Sequence, residues 1–228
     1  MSADGSTGAA VVVVVAALFV EGDGIYASAP SVEAWDVARD ARRYAGPWPV
    51  VAHPPCERWG RYWSGGPSAK VRRVLGDDGG CFAAAKAAVD TWGGVLEHPE
   101  ASHAWRIFGI PAPPRSGGWV VALEASARLE PFGRRAWTCC VEQGHYGHRA
   151  RKATWLYAVL PAGVAPPSLV WGASTGERLD EGFHSAEERR AARAAGAAPR
   201  ARLSTAENLA TPPAFADVLL GIARSAAR

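Results

Sequence analysis

Cys56 stands at the end of a short apolar run, directly after a proline pair, in the stretch Pro47 to Gly66 that reads PWPVVAHPPCERWGRYWSGG. Proline rejects a continuing strand ladder and fixes the backbone on either side of itself. The run Val50-Val51-Ala52 therefore predicts a strand that stops at Pro54-Pro55 and delivers the thiol to its carboxyl end, where ligands gather in α/β sheets. A second apolar run, Gly94-Val95-Leu96, ends in Glu97-His98-Pro99. If the intervening segment is a crossover helix, both ends lie at one sheet edge, and a nucleophilic sulfur and a carboxyl group share a site. A thiol that attacks must be more acidic than a free one, and Arg58, His53 or a helix start are the candidates for lowering it.

The elements that must position these groups read as α/β. Val11 to Phe19 is a β-branched run that predicts a strand buried on both faces, ending in the turn Glu21-Gly22-Asp23-Gly24. The charged stretch Val32 to Tyr44 predicts a short helix, Gly79 to Val89 a second one reaching toward Thr91, and Trp155 to Leu160 a core strand. Glycine pairs with Trp119–Leu123 and Trp137–Cys140 suggest hairpin strands or a small insertion at about 109–140. Ser185 with Glu188, and Ser204 with Glu207, have capping-box spacing. Pro213 opens an amphipathic helix with Phe215, Val218, Leu219, Leu220 and Ile222 on it.

Length and composition set the bounds. The 228 residues, 48% hydrophobic, suit residues 9–228 as one domain behind a flexible lead at 1–8. The twelve apolar residues Ala9 to Val20 are too few to span a membrane and follow Asp4 rather than a basic segment. Four cysteines without framework spacing point to a reducing cytoplasm. The net charge of +3 is unevenly spread: residues 1–50 carry six acids and three bases, residues 111–160 three acids and seven bases. That permits an anionic partner. Three lysines against 22 arginines fit a GC-rich genome as well as they fit nucleic-acid binding.

Cys56 after Pro55, Glu97 before His98-Pro99, and Gln143 followed by Arg149 and Arg151 in QGHYGHRARKATWLYAVL together resemble the DNA cytosine-5 methyltransferases, in particular short phage-associated members. Arg202 to Glu207 is similar to their closing motif. The resemblance implies a Rossmann-like methyltransferase fold with a central, mostly parallel sheet. It implies Cys56 as nucleophile toward the sixth carbon of cytosine, Glu97 as the carboxyl that contacts the base, and Arg149 with Arg151 as a clamp on base or backbone. Pro55, Trp59, His98, Gln143 and Lys152 would line the substrate. Phe19, Glu21, Gly22 and Gly24, with Glu33 or Asp36 as an acid for the ribose, would hold S-adenosylmethionine.

The chain departs from that pattern in three places. Only 31 residues lie between Gly24 and Cys56, so the donor half is abbreviated; His98 stands where the family has asparagine; and no large recognition region follows residue 160. DNA is the expected partner, with a free pyrimidine nucleotide, held at its phosphate by Arg149, Arg151 and Lys152, as the alternative substrate. A catalytically silent DNA-binding or anti-restriction protein on the same fold is the non-enzymatic alternative. Trp59, Tyr62 and Trp63 could stack on a base or pack in the core, in a loop that Gly60, Gly65 and Gly66 would keep mobile. His53 and Cys56, with His98, His103, His145 and His148 elsewhere, offer a zinc-ligand spacing without a second tight pair. The adjacent Cys139-Cys140 lacks the spacing of a zinc deaminase.

Overall fold

A computed structural model describes residues 12–65, 71, 73–122, 133–176, 186–196 and 203–227. Seven strands form one mixed sheet: β1 (Val15–Leu18), β2 (Val32–Trp35), β3 (Val50–Ala52), β4 (Gly94–Pro99), β5 (Val120–Val121), β6 (Arg134–Glu142) and β7 (Ala153–Pro161). Their order is β2-β1-β3-β4-β7-β6-β5. The first four are mutually parallel, and β7, β6 and β5 continue the sheet antiparallel. The protein is thus α/β with a parallel half and an antiparallel half.

Both faces of β1 and β3 are covered, which is why these two strands read as unbroken apolar runs. On one face lies α1 (Cys81–Trp92), the crossover from β3 to β4, which buries Phe82, Ala85, Ala88 and Val89. The short α2 (His103–Ile107) adds Trp105 to that face, capped by the Ser102 side chain on Ala104 N–H. The other face carries α5 (Pro213–Ser225), entered through Pro213, with Phe215, Leu219, Leu220 and Ile222 buried. Each of those side chains contributes roughly 1.5–3 kcal/mol by leaving water. Two further helices, α3 (Ala186–Ala194) and α4 (Thr205–Leu209), precede it.

Val32 to Tyr44 is not a helix. Val32–Trp35 pairs in parallel with β1 from Val15↔Val32 to Leu18↔Trp35, residues 37–40 form turns, and only Ala41–Arg43 is helical, as one 3-10 turn. Asp36 accepts from Arg39 N–H at 3.1 Å, and Asp40 sits at φ 50°, a left-handed backbone that a helix interior excludes. The charge spacing looked helical because short polar turns alternate with the strand.

β4 runs three residues past the Leu96 expected as its end, through Glu97 and His98, because β7 pairs with it from Gly94↔Val159 to Pro99↔Thr154. At its start, a side chain on Gly94 would collide with the Val50 carbonyl, so glycine is required for β3 to approach. Residues 109–122 and 133–140 contribute β5 and most of β6 to the antiparallel end. The lead at 1–8, Gly66, Leu123, the box at Ser185 with Glu188, and Arg202 lie outside the described residues or side chains. Among the described residues no helix is long and apolar enough to cross a membrane.

Candidate active site at the carboxyl edge of the parallel strands

The chain runs from β1 outward to β2, then returns to place β3 on the other side of β1. Such a reversal of strand order opens a crevice at the carboxyl ends, the position where open α/β sheets bind ligands. The segments leaving β1 and β3 at that crevice are Phe19 to Gly24 and His53 to Cys56. Glu97 lies within the next strand, β4, one residue past the last pair that β4 makes with β3. Sheet topology therefore puts all three sequence candidates at one edge.

Glu97 is the best-connected group there. Its side chain is only 12% exposed, and its carboxylate collects donors from three segments. His53 Nδ1 lies 3.0 Å from Oε2; Thr154 Oγ1 and Gln143 Nε2 donate to Oε1 at 3.0 and 3.2 Å. Gln143 Nε2 also donates to Thr154 Oγ1 at 2.9 Å. Burial alone would raise this carboxyl, but the hydrogen bond and charge of His53, then the charges of Lys152 and His98, hold it at about 2. Glu97 is therefore an ionised acceptor at neutral pH.

His53 continues the β3 direction, with its N–H bonded to the Leu18 carbonyl of β1. Its other nitrogen, Nε2, is 2.9 Å from the hydroxyl of Tyr26, a residue 3% exposed in the turns between β1 and β2. Burial foremost, then the charges of Glu97 and Asp217, pushes the Tyr26 phenol well above its ordinary value. Tyr26, His53, Glu97, Gln143 and Thr154 thus form one hydrogen-bonded chain from the β1–β2 segment to the β6–β7 turn. Gln143 was legible as a motif residue; Tyr26 and Thr154 carried no signal, and His53 drew notice for its zinc-like spacing from Cys56 and as a group that could acidify the thiol.

Cys56 follows Pro54-Pro55 and opens a tight turn, its carbonyl accepting from Trp59 and Gly60 N–H. The thiol is partly buried and free. It is not acidified: burial pushes it up, the Glu97 charge adds to that, and a backbone hydrogen bond and the Lys152 charge only oppose it. Of the three groups expected to lower it, Arg58 pairs with Glu57 at 3.3 Å, His53 is held between Tyr26 and Glu97, and no helix begins at residue 56.

Other candidates fall into different roles. His98 is 1% exposed, points to the opposite face from Glu97 and packs against Phe82 and Trp105. Burial pushes it down to about 4, so it is a neutral core imidazole. Trp59 is 4% exposed, its Nε1 donating to Asp78 at 2.7 Å; of the three loop aromatics Tyr62 is the exposed one. Arg151 grips Glu142 with two nitrogens, Nη2 at 2.7 Å and Nε at 3.2 Å. Arg149 is more than half exposed and pairs with Glu207 at 2.9 Å. Lys152 reaches the Ala210 carbonyl at 3.2 Å, and His148 reaches that of Glu207 at 3.1 Å. The stretch after Gln143 is therefore the dock for the segment around α4, whose Ser204–Glu207 capping box forms as expected.

On the donor side, Phe19 takes a left-handed φ of 59° as the chain leaves β1, and Glu21 accepts Gly24 N–H in a turn. A side chain on Gly22 would stand 2.7 Å from Asp36 Oδ2, so glycine lets the β1 turn close on the acid just beyond β2. Asp36 keeps carboxylate capacity beyond its bond from Arg39, whereas Glu33 is paired with the Arg39 guanidinium at 2.5 Å. A glycine turn leaving β1 and an acid just beyond the neighbouring strand β2 fit a ligand with an amine and a ribose. Among the described residues no three His, Cys, Asp or Glu side chains converge as a metal site would, and both nitrogens of His53 are engaged. Compared with known proteins, the chain matches no family model and no curated protein.

Proposed function

We propose that this protein modifies the fifth carbon of cytosine in DNA through a covalent adduct to Cys56, with methyl transfer as the reaction. One observation carries the reading: Cys56 follows the carboxyl end of β3, and an ionised, donor-held Glu97 stands on neighbouring β4 just past the end of its parallel pairing with β3, beside the reversal of strand order. The mixed sheet is compatible with a Rossmann-like methyltransferase fold, the finer architecture this reading adopts.

The chemistry follows from charge and geometry. An ionised Glu97 accepts an N–H, and cytosine offers one at its exocyclic amino group where thymine and uracil present an oxygen. That contact fixes the ring beside Cys56. As the sulfur bonds to the sixth carbon, the thiol proton passes to water and the ring's double-bond pair moves to the fifth carbon, which becomes the nucleophile. After carbon transfer, the fifth carbon loses its proton to water, the S–C bond breaks to restore the ring, and the released thiolate regains a proton from water. Phe19, Glu21, Gly22, Gly24 and Asp36, with Glu33 behind them, would hold S-adenosylmethionine, which supplies the methyl carbon when bound. Exposed Arg149 is the residue of its pair free to turn toward a phosphate; Arg151 shapes the turn through Glu142.

DNA carrying 5-fluorocytosine, mixed with protein and S-adenosylmethionine, should yield a trapped adduct at Cys56 by mass spectrometry, and Cys56→Ser should yield none. Absence of both adduct and modified cytosine across varied DNA sequences would overturn the reading. The raised Cys56 thiol favours one second reading, a catalytically silent DNA-binding protein on this fold. Salt-dependent DNA binding that survives Cys56→Ser without any modified base would select it, and modification of free deoxycytidine monophosphate but not DNA would select the nucleotide substrate instead.

A further inference from the structure

Glu97 lies where burial should protonate it, and yet it is ionised. Two of its three donors, Gln143 and Thr154, also bond each other and belong to the antiparallel half. The third, His53, comes from the parallel half and bonds Oε2, the oxygen that neither of the others touches. His53 is itself fixed at both ends: its backbone is tied to β1 and its Nε2 to the Tyr26 hydroxyl. An ionised carboxylate has no proton to give, so Nδ1 must donate. The Tyr26 hydroxyl, 2.9 Å from Nε2, fixes the other end of the ring, so the Nδ1–H is held toward Oε2.

We propose that His53 is a positioning residue, locked by Tyr26 in the tautomer that donates from Nδ1, and that it keeps Glu97 ionised and oriented for its ligand. The inference rests on the reading of Glu97 as the base-contacting carboxyl. It gives the His53-Pro54-Pro55-Cys56 run a double function, since the same turn that presents the thiol also sets the state of the carboxylate. It also ties that carboxylate to the β1–β2 segment through Tyr26. The groups bearing on Glu97 are His53 after β3, Lys152 before β7, His98 beside it on β4, and the neutral Gln143 and Thr154; Cys56 feels its charge, and Asp217 of α5 bears on Tyr26.

The test reads protonation directly in the full-length protein. With glutamate carboxyls labelled by carbon-13 and Glu97→Gln identifying the signal, NMR of wild type should show no Glu97 titration between about pH 4 and 8. In His53→Leu the titration should rise by about 2 pH units or more into that window. His53→Asn, whose amide nitrogen replaces Nδ1, should hold it below about pH 4. Nitrogen-15 spectra should show His53 as a single Nδ1–H tautomer, and Tyr26→Phe should mix the tautomers. A Glu97 titration unmoved in His53→Leu, or moved equally in His53→Leu and His53→Asn, overturns the proposal. If His53→Leu does not fold, Tyr26→Phe decides, and unchanged imidazole nitrogens overturn it. Should Glu97 behave as stated while wild type traps no cytosine, the cytosine reading fails and the positioning role of His53 stands.

Discussion

Two carboxylates on two strands, Glu97 within β4 and Glu142 at the end of β6, are both held at about 2, and they are held by different chemistry. Around Glu142 burial raises and the Arg151 fork lowers, with Ser174 N–H donating at 2.6 Å. A guanidinium takes both oxygens at once, which leaves a closed ion pair that fastens the turn to residue 174. Around Glu97 the donors are one imidazole, one amide and one hydroxyl, each from a different segment. No single donor takes both oxygens of Glu97, so this carboxylate still has lone-pair capacity to offer a ligand. The contrast separates a carboxylate that builds the fold from one the fold presents.

The contrast is most open to breakage at Glu97 itself. Glu97→Gln should lower cytosine modification at least about 100-fold, measured as modified base per folded protein, while the fold persists; an active Glu97→Gln would reduce Glu97 to a structural group. Arg151→Met should act in the opposite manner, destabilising the protein by about 2–3 kcal/mol in urea unfolding because Glu142 is left without its guanidinium. Converting both partners, Arg151→Met with Glu142→Leu, should recover most of that loss.

Acid sharpens the comparison further. Both folded-state values lie below the ordinary 4.5, so the stability they contribute is fully present above that value and is lost as pH falls toward about 2. Unfolding measured at pH 6 and pH 3 should show the decline, and Glu97→Gln should remove one part of it while the Arg151→Met/Glu142→Leu pair removes the other. The smallest effect belongs to the exposed ion pair of Arg149 with Glu207. Arg149→Ala should shift the unfolding midpoint by less than about 2 °C by calorimetry.

Much of the site's location was legible from residue order. Proline after an apolar run marks a strand end whatever surrounds it, and a crossover between two such runs forces their ends to one edge. Those local rules placed Cys56 and Glu97, a helix from Gly79 toward Thr91 that forms over Cys81–Trp92, and a helix opening at Pro213 that runs to Ser225. They failed at Val32–Trp35, where four residues with one acid among them have no period long enough to separate strand from helix, and where pairing with β1 decided the matter. They also could not separate Trp59, which packs inward onto Asp78, from Tyr62, which does not.

The sequence by itself determined that a thiol and a carboxyl would stand at strand ends of an α/β sheet, because backbone restriction and hydrophobic runs act over a few residues. The tertiary structure alone decided their condition. Whether Glu97 is ionised depends on His53, Gln143 and Thr154, which lie 44, 46 and 57 residues away in the chain. The raised thiol of Cys56 depends on burial and on the Glu97 charge. Protonation is set by the donors, charges and solvent that folding brings within a few ångströms, and sequence spacing carries no measure of that distance.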